Sequence, residues 1–208
     1  MRKWYAGLAI CLLVAGMANL TRAAAREAEW KAVEEAVRKG LPKTAVKHLQ
    51  AVLEGALKDK AYGEAIKAVG RKIALQGAID GNRAEAKIKR MQTEIARSPA
   101  AMQPALRAIL ARWYWHYFQQ NRFRFLQRTG TAEPPGNDFT TWDLPRIFRE
   151  IDRQLGLALA DEKLLKSIPV SEFDALLVKG NSPASYRPTL YDFLVHEAIS
   201  FYSSGEQA

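Results

Sequence analysis

The chain has 208 residues, of which 48% are hydrophobic and 25% are charged. This length allows one core or a short helical array but not several independent domains, and the composition excludes a disordered or low-complexity protein for most of the chain. The formal net charge is +9, but Lys and Arg alternate with Glu and Asp and form no run of five or six like charges. Because nucleic-acid-binding arms carry such runs, we expect no nucleic-acid partner.

The first 25 residues have the composition of a secretion signal. Arg2 and Lys3 precede a short apolar run, LAICLLV, and small residues follow it. The end of this segment places small side chains at both positions needed for cleavage after Ala23 or Ala25. The alternative is an uncleaved anchor, but the apolar run is shorter than the roughly 18 residues of a spanning helix. We expect a secreted or periplasmic protein with no stable membrane insertion after cleavage.

Cysteine and histidine usage argues against a metal centre. The single cysteine, Cys11, lies inside the apolar run of the signal, so the cleaved chain has no thiol for a disulfide or a metal. No two of His48, His116 and His196 share the spacing of a metal-binding motif such as HExxH. His116 falls in an aromatic helix and is expected to be packed. We predict no metal site and no cofactor.

Residues 26–97 contain four segments in which apolar side chains recur at helical spacing. These segments are 26–39, 42–58, 62–79 and 83–97, and Gly40 and the turn Asp80-Gly81-Asn82 separate two of the pairs. Short helices joined by short turns are typical of antiparallel hairpins of the tetratricopeptide kind. Because no 34-residue repeat signature is present, a non-repetitive bundle is the alternative.

A long helix rich in aromatic residues is predicted for 106–128, LRAILARWYWHYFQQNRFRFLQR, which neither Gly nor Pro interrupts. One broad face of this helix carries Leu106, Ile109, Leu110, Trp113, Tyr114, Tyr117, Phe118 and Phe125. Trp115 points to the opposite side, so other segments are expected to pack on the helix from two directions. We therefore place this helix at the centre of the core.

The segment 131–143, TAEPPGNDFTTWD, is predicted to be a surface loop because it contains two prolines, a glycine and several turn formers. Phe139 and Trp142 are expected to tuck from this loop onto the core. Asp143 is the predicted N-cap of the next helix, and Pro188 the first residue of the last one. Since no segment alternates apolar and polar residues as a strand does, the predicted fold is all-α, with helical hairpins or an irregular bundle around the aromatic helix.

These elements suggest three regions. They are a signal at 1–25, a helical-hairpin region at 26–97 and an aromatic-rich helical region at 98–208, with 26–208 as one structural unit. The aromatic residues expected in the core or in contact with a partner are Trp113, Trp115, Tyr117, Phe139 and Trp142.

Two patterns suggest chemistry, and each has a plainer explanation. Asp192 and His196 lie four residues apart on one helical face, as an oriented base would, but no nucleophile accompanies them. The stretch 121–128, NRFRFLQR, resembles a platform for single-stranded nucleic acid, but its rings have helical spacing. Its arginines are therefore expected to pair with carboxylates or to lie along the surface. We predict no catalytic residue and no enzymatic activity.

Four stretches cover most of the chain after the signal. They are WKAVEEAVRKGLPKTAVKHLQAVLEGALKDKAYGEAIKAVGRKIAL at 30–75, ILARWYWHYFQQNRFRFLQRT at 109–129, FTTWDLPRI at 139–147 and YRPTLYDFLVHEAISFY at 186–202. Together they resemble the N-terminal helical region of large secreted bacterial proteins of the alpha-2-macroglobulin type. In that family, activity belongs to β-sandwich macroglobulin domains, a protease-cleaved bait region and, in many members, a thioester domain. The resemblance therefore implies an accessory segment without assigned site residues.

The leading hypothesis is a non-enzymatic, secreted helical scaffold or interaction module. The resemblance implies that it is a fragment of a longer macroglobulin-like protease inhibitor, whose downstream domains would be its protein partner. The alternative is a free-standing periplasmic helical-repeat adaptor that binds a separate envelope protein or peptide. A third hypothesis, with less support, is an envelope enzyme whose site lies around Asp192, His196 and the loop 139–143.

Overall fold

The computed structural model describes residues 23–127, 136, 138–178 and 183–206. In these residues the fold is all-α, which confirms the predicted fold class, and the β-type pairing they show is one isolated bridge between Pro169 and Thr189. The predicted signal at 1–25 lies outside the described residues except for 23–25, which belong to the first helix. The chain forms two compact units, one up to Asp80 and one from Gly81 onward.

The first unit contains three helices. They are α1 at 23–38, α2 at Pro42–Lys58 and α3 at Tyr62–Ile79. Gly40 follows α1 with a φ of 69°, a left-handed conformation that glycine adopts at little cost. The three-residue connection between α2 and α3 folds them into an antiparallel hairpin. Its apolar core, with α1, contains Val33, Ala45, Leu49, Val52, Ile66, Val69 and Ile73.

The second unit is organised around one helix. Its helices are α4 at Ala84–Arg97, α5 at Gln103–Gln120, α6 at Arg122–Leu126, α7 at Leu144–Leu159, α8 at Glu162–Ser167 and α9 at Leu190–Tyr202. Helix α5 packs against α4, α7 and α9, which explains why apolar residues lie on more than one of its faces. Helix α4 belongs to this unit, so the boundary between the units lies before α4 and not after residue 97.

The prediction of one helix over 106–128 is wrong at Asn121, where α5 ends and α6 begins. The side-chain amide of Asn121 donates a hydrogen bond to the carbonyl of Tyr117 at 2.8 Å. Asn side chains compete in this way with the backbone bonds that continue a helix. After the break, the ring of Phe125 is buried at 6.1 Å from Tyr117 and 5.8 Å from Phe118.

Side-chain caps set the start of α7, α8 and α9, and two of them bear on predictions from the sequence. Asp143 accepts a hydrogen bond at 2.9 Å from the backbone N–H three residues later, which confirms it as the N-cap of α7. The last helix begins at Leu190 and not at Pro188, because Thr189 and Asp192 form a capping box. Among the described residues, none of the helices combines the length and the apolar composition needed to span a bilayer.

Candidate binding groove between α5 and α9

Three of the aromatic residues singled out from the sequence form the core of the second unit. Tyr117 and Phe139 are each 1% exposed, and Trp142 is 4% exposed. The ring of Phe139 meets those of Tyr114 and Tyr117 edge-on, with centroids 5.4 and 5.2 Å away. Trp142 stacks on Tyr114 at 5.9 Å. Phe139 and Trp142 therefore tuck onto the core as predicted.

Trp113 and Trp115 on α5 are only partly buried. The indole N–H of Trp115 donates to the carboxylate of Glu206 at 2.5 Å, and its ring meets Phe201 edge-on at 5.6 Å. His116 was expected to be packed, but its side chain is exposed. The expectation is wrong because His116 lies on the open side of α5, beside a groove.

This groove runs between α5 and α9 and contains two adjoining cavities of about 270 and 180 Å³. Both cavities are lined by Ala108, Arg112 and Glu197. Arg112 pairs with Glu197 at 2.9 Å, so this ion pair lies at the border that the cavities share. Ala105 and Ala111 continue the line of small side chains at helical spacing along α5. A bound group can therefore approach the α5 backbone closely.

The two cavities differ in polarity. The larger one has a polar rim beside two rings, with Trp115, His116, Gln119, Ser200 and Phe201 in its wall. The smaller one is almost entirely apolar, with Ile109, Leu176, Leu177, Phe193 and Leu194 in its wall. The groove thus offers an apolar recess at one end and an aromatic recess with hydrogen-bonding groups at the other.

Asp192 and His196 line neither cavity of the groove. The carboxylate of Asp192 accepts hydrogen bonds from the hydroxyl of Thr189 at 2.6 Å and from its backbone N–H at 3.0 Å. The hydroxyl bond is the main reason that the pKa of Asp192 is lowered. Asp192 is therefore engaged as a helix cap. In the described part of the chain, no group of three or more His, Cys, Asp or Glu residues could hold a metal ion.

The arginines of the basic-aromatic stretch contact other parts of the second unit. Arg122 donates to the carboxylate of Glu206 at 2.8 Å, and Arg124 donates to the hydroxyl of Tyr117 at 2.7 Å. The prediction that these arginines pair with carboxylates is confirmed for Arg122, while Arg128 lies outside the described residues. Arg122 thus joins the start of α6 to the residues after α9, and Arg124 joins α6 back to α5.

Sequence reasoning missed Arg112 and Glu197, which are 85 residues apart and exposed or partly exposed. The helical spacing of Ala105, Ala108 and Ala111 is the one local signal in the sequence. It could have indicated that one face of α5 carries small side chains and forms the floor of a groove. Apolar recesses with a few polar rim groups are typical of sites that bind apolar side chains or small ligands. No protein-family model, no curated protein and no solved structure matches the chain.

Proposed function

We propose that this chain is a non-enzymatic helical scaffold that holds a partner protein in the groove between α5 and α9. The observation that carries the proposal is the pair of adjoining cavities at the Arg112 and Glu197 ion pair. Judged from the α5 residues that line them, the cavities lie about 7 Å apart along the helix axis. Apolar side chains at positions i and i+4 of an amphipathic helix have a similar spacing.

The partner segment is therefore an amphipathic helix with two apolar anchors. One anchor enters the apolar recess beside Ile109 and Phe193, and the other enters the recess beside Trp115. Polar residues that flank the second anchor meet His116 and Gln119 at the rim. Such an arrangement of buried anchors and a polar rim is common in protein interfaces.

Photocrosslinking tests this occupant. A photoreactive residue at Gln119, on the groove rim, is compared with one at Gln50, which is exposed on α2. We expect a discrete adduct from position 119 alone in cells of the native source, and the crosslinked peptide should carry apolar residues at i and i+4. Ser200→Trp, which fills the larger cavity, should abolish the adduct, whereas Ala51→Trp on α2 should not.

Three outcomes would contradict the groove as the binding site. They are equal labelling from both positions, an adduct that survives Ser200→Trp, and a crosslinked peptide without paired apolar residues. An adduct of twice the mass of the chain would identify a second copy as the occupant instead. Far-UV circular dichroism of each variant verifies that the helices are intact.

The proposed place of action is the cell envelope, supported by the signal-like first 25 residues. The resemblance to alpha-2-macroglobulin-type proteins favours a scaffold at the N-terminus of a longer protease inhibitor, with downstream domains as partner. A free-standing periplasmic adaptor is the second candidate, which the groove supports equally. An immunoblot of the envelope fraction with antibody to residues 26–208 separates the two. A band far above 23.3 kDa supports the first, a band slightly below it supports the second, and a signal confined to the cytoplasm contradicts both.

A further inference from the structure

A third cavity of the second unit, on another side of α5, differs from the two cavities of the groove in the charge of its lining. It has a volume of about 310 Å³ and lies between α4, α5 and α7. Its polar wall contains Arg107, Arg153, Gln92, Gln103 and Gln154. Among the described residues that line it, none is Asp or Glu, and their polar groups are guanidinium and amide groups.

The charge of Arg153 is already matched within the protein. Arg153 donates two hydrogen bonds, at 2.8 and 2.7 Å, to the carboxylate of Glu150, which is only 5% exposed. Gln154 donates a third at 2.8 Å. This carboxylate is therefore fully engaged beside the cavity. A buried carboxylate with a bidentate arginine and an amide donor is a satisfied group and needs no further cation.

Arg107 is not matched in the same way. In the described part of the chain, its guanidinium donates to amide oxygens only, those of Gln154 at 3.2 Å and Gln103 at 3.4 Å. The pKa of Arg107 is lowered, first by burial and then by the charge of Arg153, and the charge of Glu150 offsets this lowering only in part. Because Glu150 is paired with Arg153, the positive charge of Arg107 remains at the cavity, where it is partly shielded from water. An anion in the cavity would offset both the burial of the Arg107 charge and its repulsion by Arg153.

We propose that this cavity binds a small carboxylate with a short apolar chain. The planar guanidinium of Arg107 presents parallel N–H groups that match the two oxygens of a carboxylate. The amide of Gln92, which also donates to the hydroxyl of Tyr114 at 2.7 Å, lines the same wall. The apolar chain would contact Ile95 and Leu110, which belong with Ala96 to the apolar part of the lining.

Ligand-observed NMR on the full chain tests the proposal with butyrate as the probe, at constant ionic strength in sodium chloride. We expect saturation transfer to butyrate in the unmodified protein and none to butyramide, its neutral isostere. Arg107→Gln removes the charge but keeps an amide and should weaken butyrate binding at least tenfold. Arg149→Gln, an exposed arginine of α7, causes the same change in net charge and should leave binding intact.

A second variant tests the site from the opposite direction. Ala96 is exposed and lines the cavity, so Ala96→Glu would supply a carboxylate from the protein itself. We expect Ala96→Glu to abolish the butyrate signal and to raise the melting temperature, and Ala96→Gln to do neither. This variant keeps the test decisive where Arg107→Gln impairs folding.

Several results would overturn the proposal. They are the absence of a butyrate signal in the unmodified protein, a signal of equal strength with butyramide, a signal that survives Arg107→Gln, and displacement of butyrate by inorganic phosphate at equal concentration. The dipeptide Ala-Leu and its C-terminal amide then separate the two sources of the ligand. Binding of the dipeptide but not of its amide identifies a peptide C-terminus, and binding of butyrate alone identifies a free short-chain acid.

Discussion

The two units of the chain are stabilised by different kinds of side chain. In the first unit the buried positions are mostly small or branched aliphatic residues, such as Ala45, Leu49 and Ile66. In the second unit the largest fully buried side chains are rings. They include Tyr114, Tyr117, Phe118, Phe125 and Phe139, each at most 1% exposed. Aliphatic side chains let helices pack closely, whereas rings hold helices apart and pack edge-on.

This difference bears on where ligands can bind. In the second unit, rings such as Trp115 and Phe201 fill part of the space between helices and leave recesses at their edges. In the first unit, a depression of about 600 Å³ along α1 is open and shallow, with the charged side chains of Glu27, Glu34, Lys31 and Arg38 around Trp30 and Val37. In the second unit, the aromatic side chains therefore shape binding recesses as well as contributing to stability.

The largest expected effect comes from removing a ring in the second unit. Phe139→Ala deletes a side chain that contacts Tyr114, Tyr117 and Trp142, and partial collapse leaves a cavity. We expect the free energy of unfolding of the second unit to fall by about 3–5 kcal/mol. Urea denaturation followed by near-UV circular dichroism, which reports on packed rings, measures this loss.

The control for this change is Phe123→Ala. Phe123 is 73% exposed, so its removal should alter the free energy of unfolding by less than about 0.5 kcal/mol. Equal losses for the two variants would show that burial in the ring cluster is not what stabilises the second unit.

Breaking the polar cluster of the first unit should have a smaller effect. Glu64 accepts hydrogen bonds from Arg26 at 2.8 Å and from the indole of Trp30 at 2.9 Å, and Arg26 also pairs with Asp59. Glu64→Ala leaves the partly buried indole N–H of Trp30 without its acceptor and leaves Arg26 with Asp59 alone, at a cost of about 1–2 kcal/mol in the free energy of unfolding. Thermal or urea denaturation followed by far-UV circular dichroism measures it.

Glu27→Ala is the matched control. Glu27 pairs with Lys31 one turn away, and both side chains are mostly exposed, so the loss should be much smaller than for Glu64→Ala and should shrink with added salt. If Glu27→Ala lowered the free energy of unfolding as much as Glu64→Ala, partial burial would not be the reason that the Glu64 cluster stabilises the protein.

Local patterns predicted the helices well and the sites poorly. Helices α2 and α3 have the predicted bounds, because apolar periodicity and the flanking turn residues are properties of adjacent positions. The break at Asn121 was missed because asparagine is tolerated inside helices. Whether it bends one depends on where the following rings can pack, which is a tertiary effect.

The groove and the cavity beside Arg107 depend on contacts between distant positions. Arg112 and Glu197 are 85 residues apart, and Arg107 and Gln154 are 47 residues apart. The sequence alone does not distinguish a charged helix residue that faces water from one that faces a recess. The exposure of His116 was mispredicted for the same reason, since helical periodicity gives its direction on α5 but not which directions neighbouring helices cover.

Two glycines of the first unit test how closely its side chains pack, because replacing either with alanine adds a single methyl group. A Cβ at Gly55 would lie 3.1 Å from Cδ and 3.2 Å from Cγ of Arg26, whereas a Cβ at Gly70 would meet nothing within 4 Å. Alanine is favoured over glycine in both helices by about 0.5–1 kcal/mol. We expect Gly70→Ala to gain that amount, and Gly55→Ala to lose the gain because Arg26 must move.

The melting temperatures of the two variants measure this difference. Gly70→Ala should melt above the unmodified protein, and Gly55→Ala should melt at or below it. Equal increases in melting temperature would mean that the Arg26 side chain moves aside at no cost. The polar cluster around Glu64 would then contribute less to stability than the Glu64→Ala prediction requires.

The smallest expected effect concerns alkaline pH and the second unit. Tyr202 on α9 donates a hydrogen bond to Asp152 on α7, and its pKa is raised from 10.0 to about 12, first by burial and then by this bond to a carboxylate. Between these values the folded state keeps the proton that the unfolded state has lost. The contribution of Tyr202 to stability is therefore complete below pH 10 and is lost as the pH rises toward about 12.

The size of this effect is limited because Tyr202 is 51% exposed and solvent screens the charge of Asp152. We expect less than about 1 kcal/mol in the free energy of unfolding. The difference in tyrosinate absorbance between the unmodified protein and Tyr202→Phe isolates the titration of this side chain, with a midpoint near 12. Asp152→Asn keeps an acceptor without the charge and should lower that midpoint. A difference titration centred at 10 would show that the hydrogen bond from Tyr202 to Asp152 does not hold the proton, and ring packing would then be what joins α7 to α9.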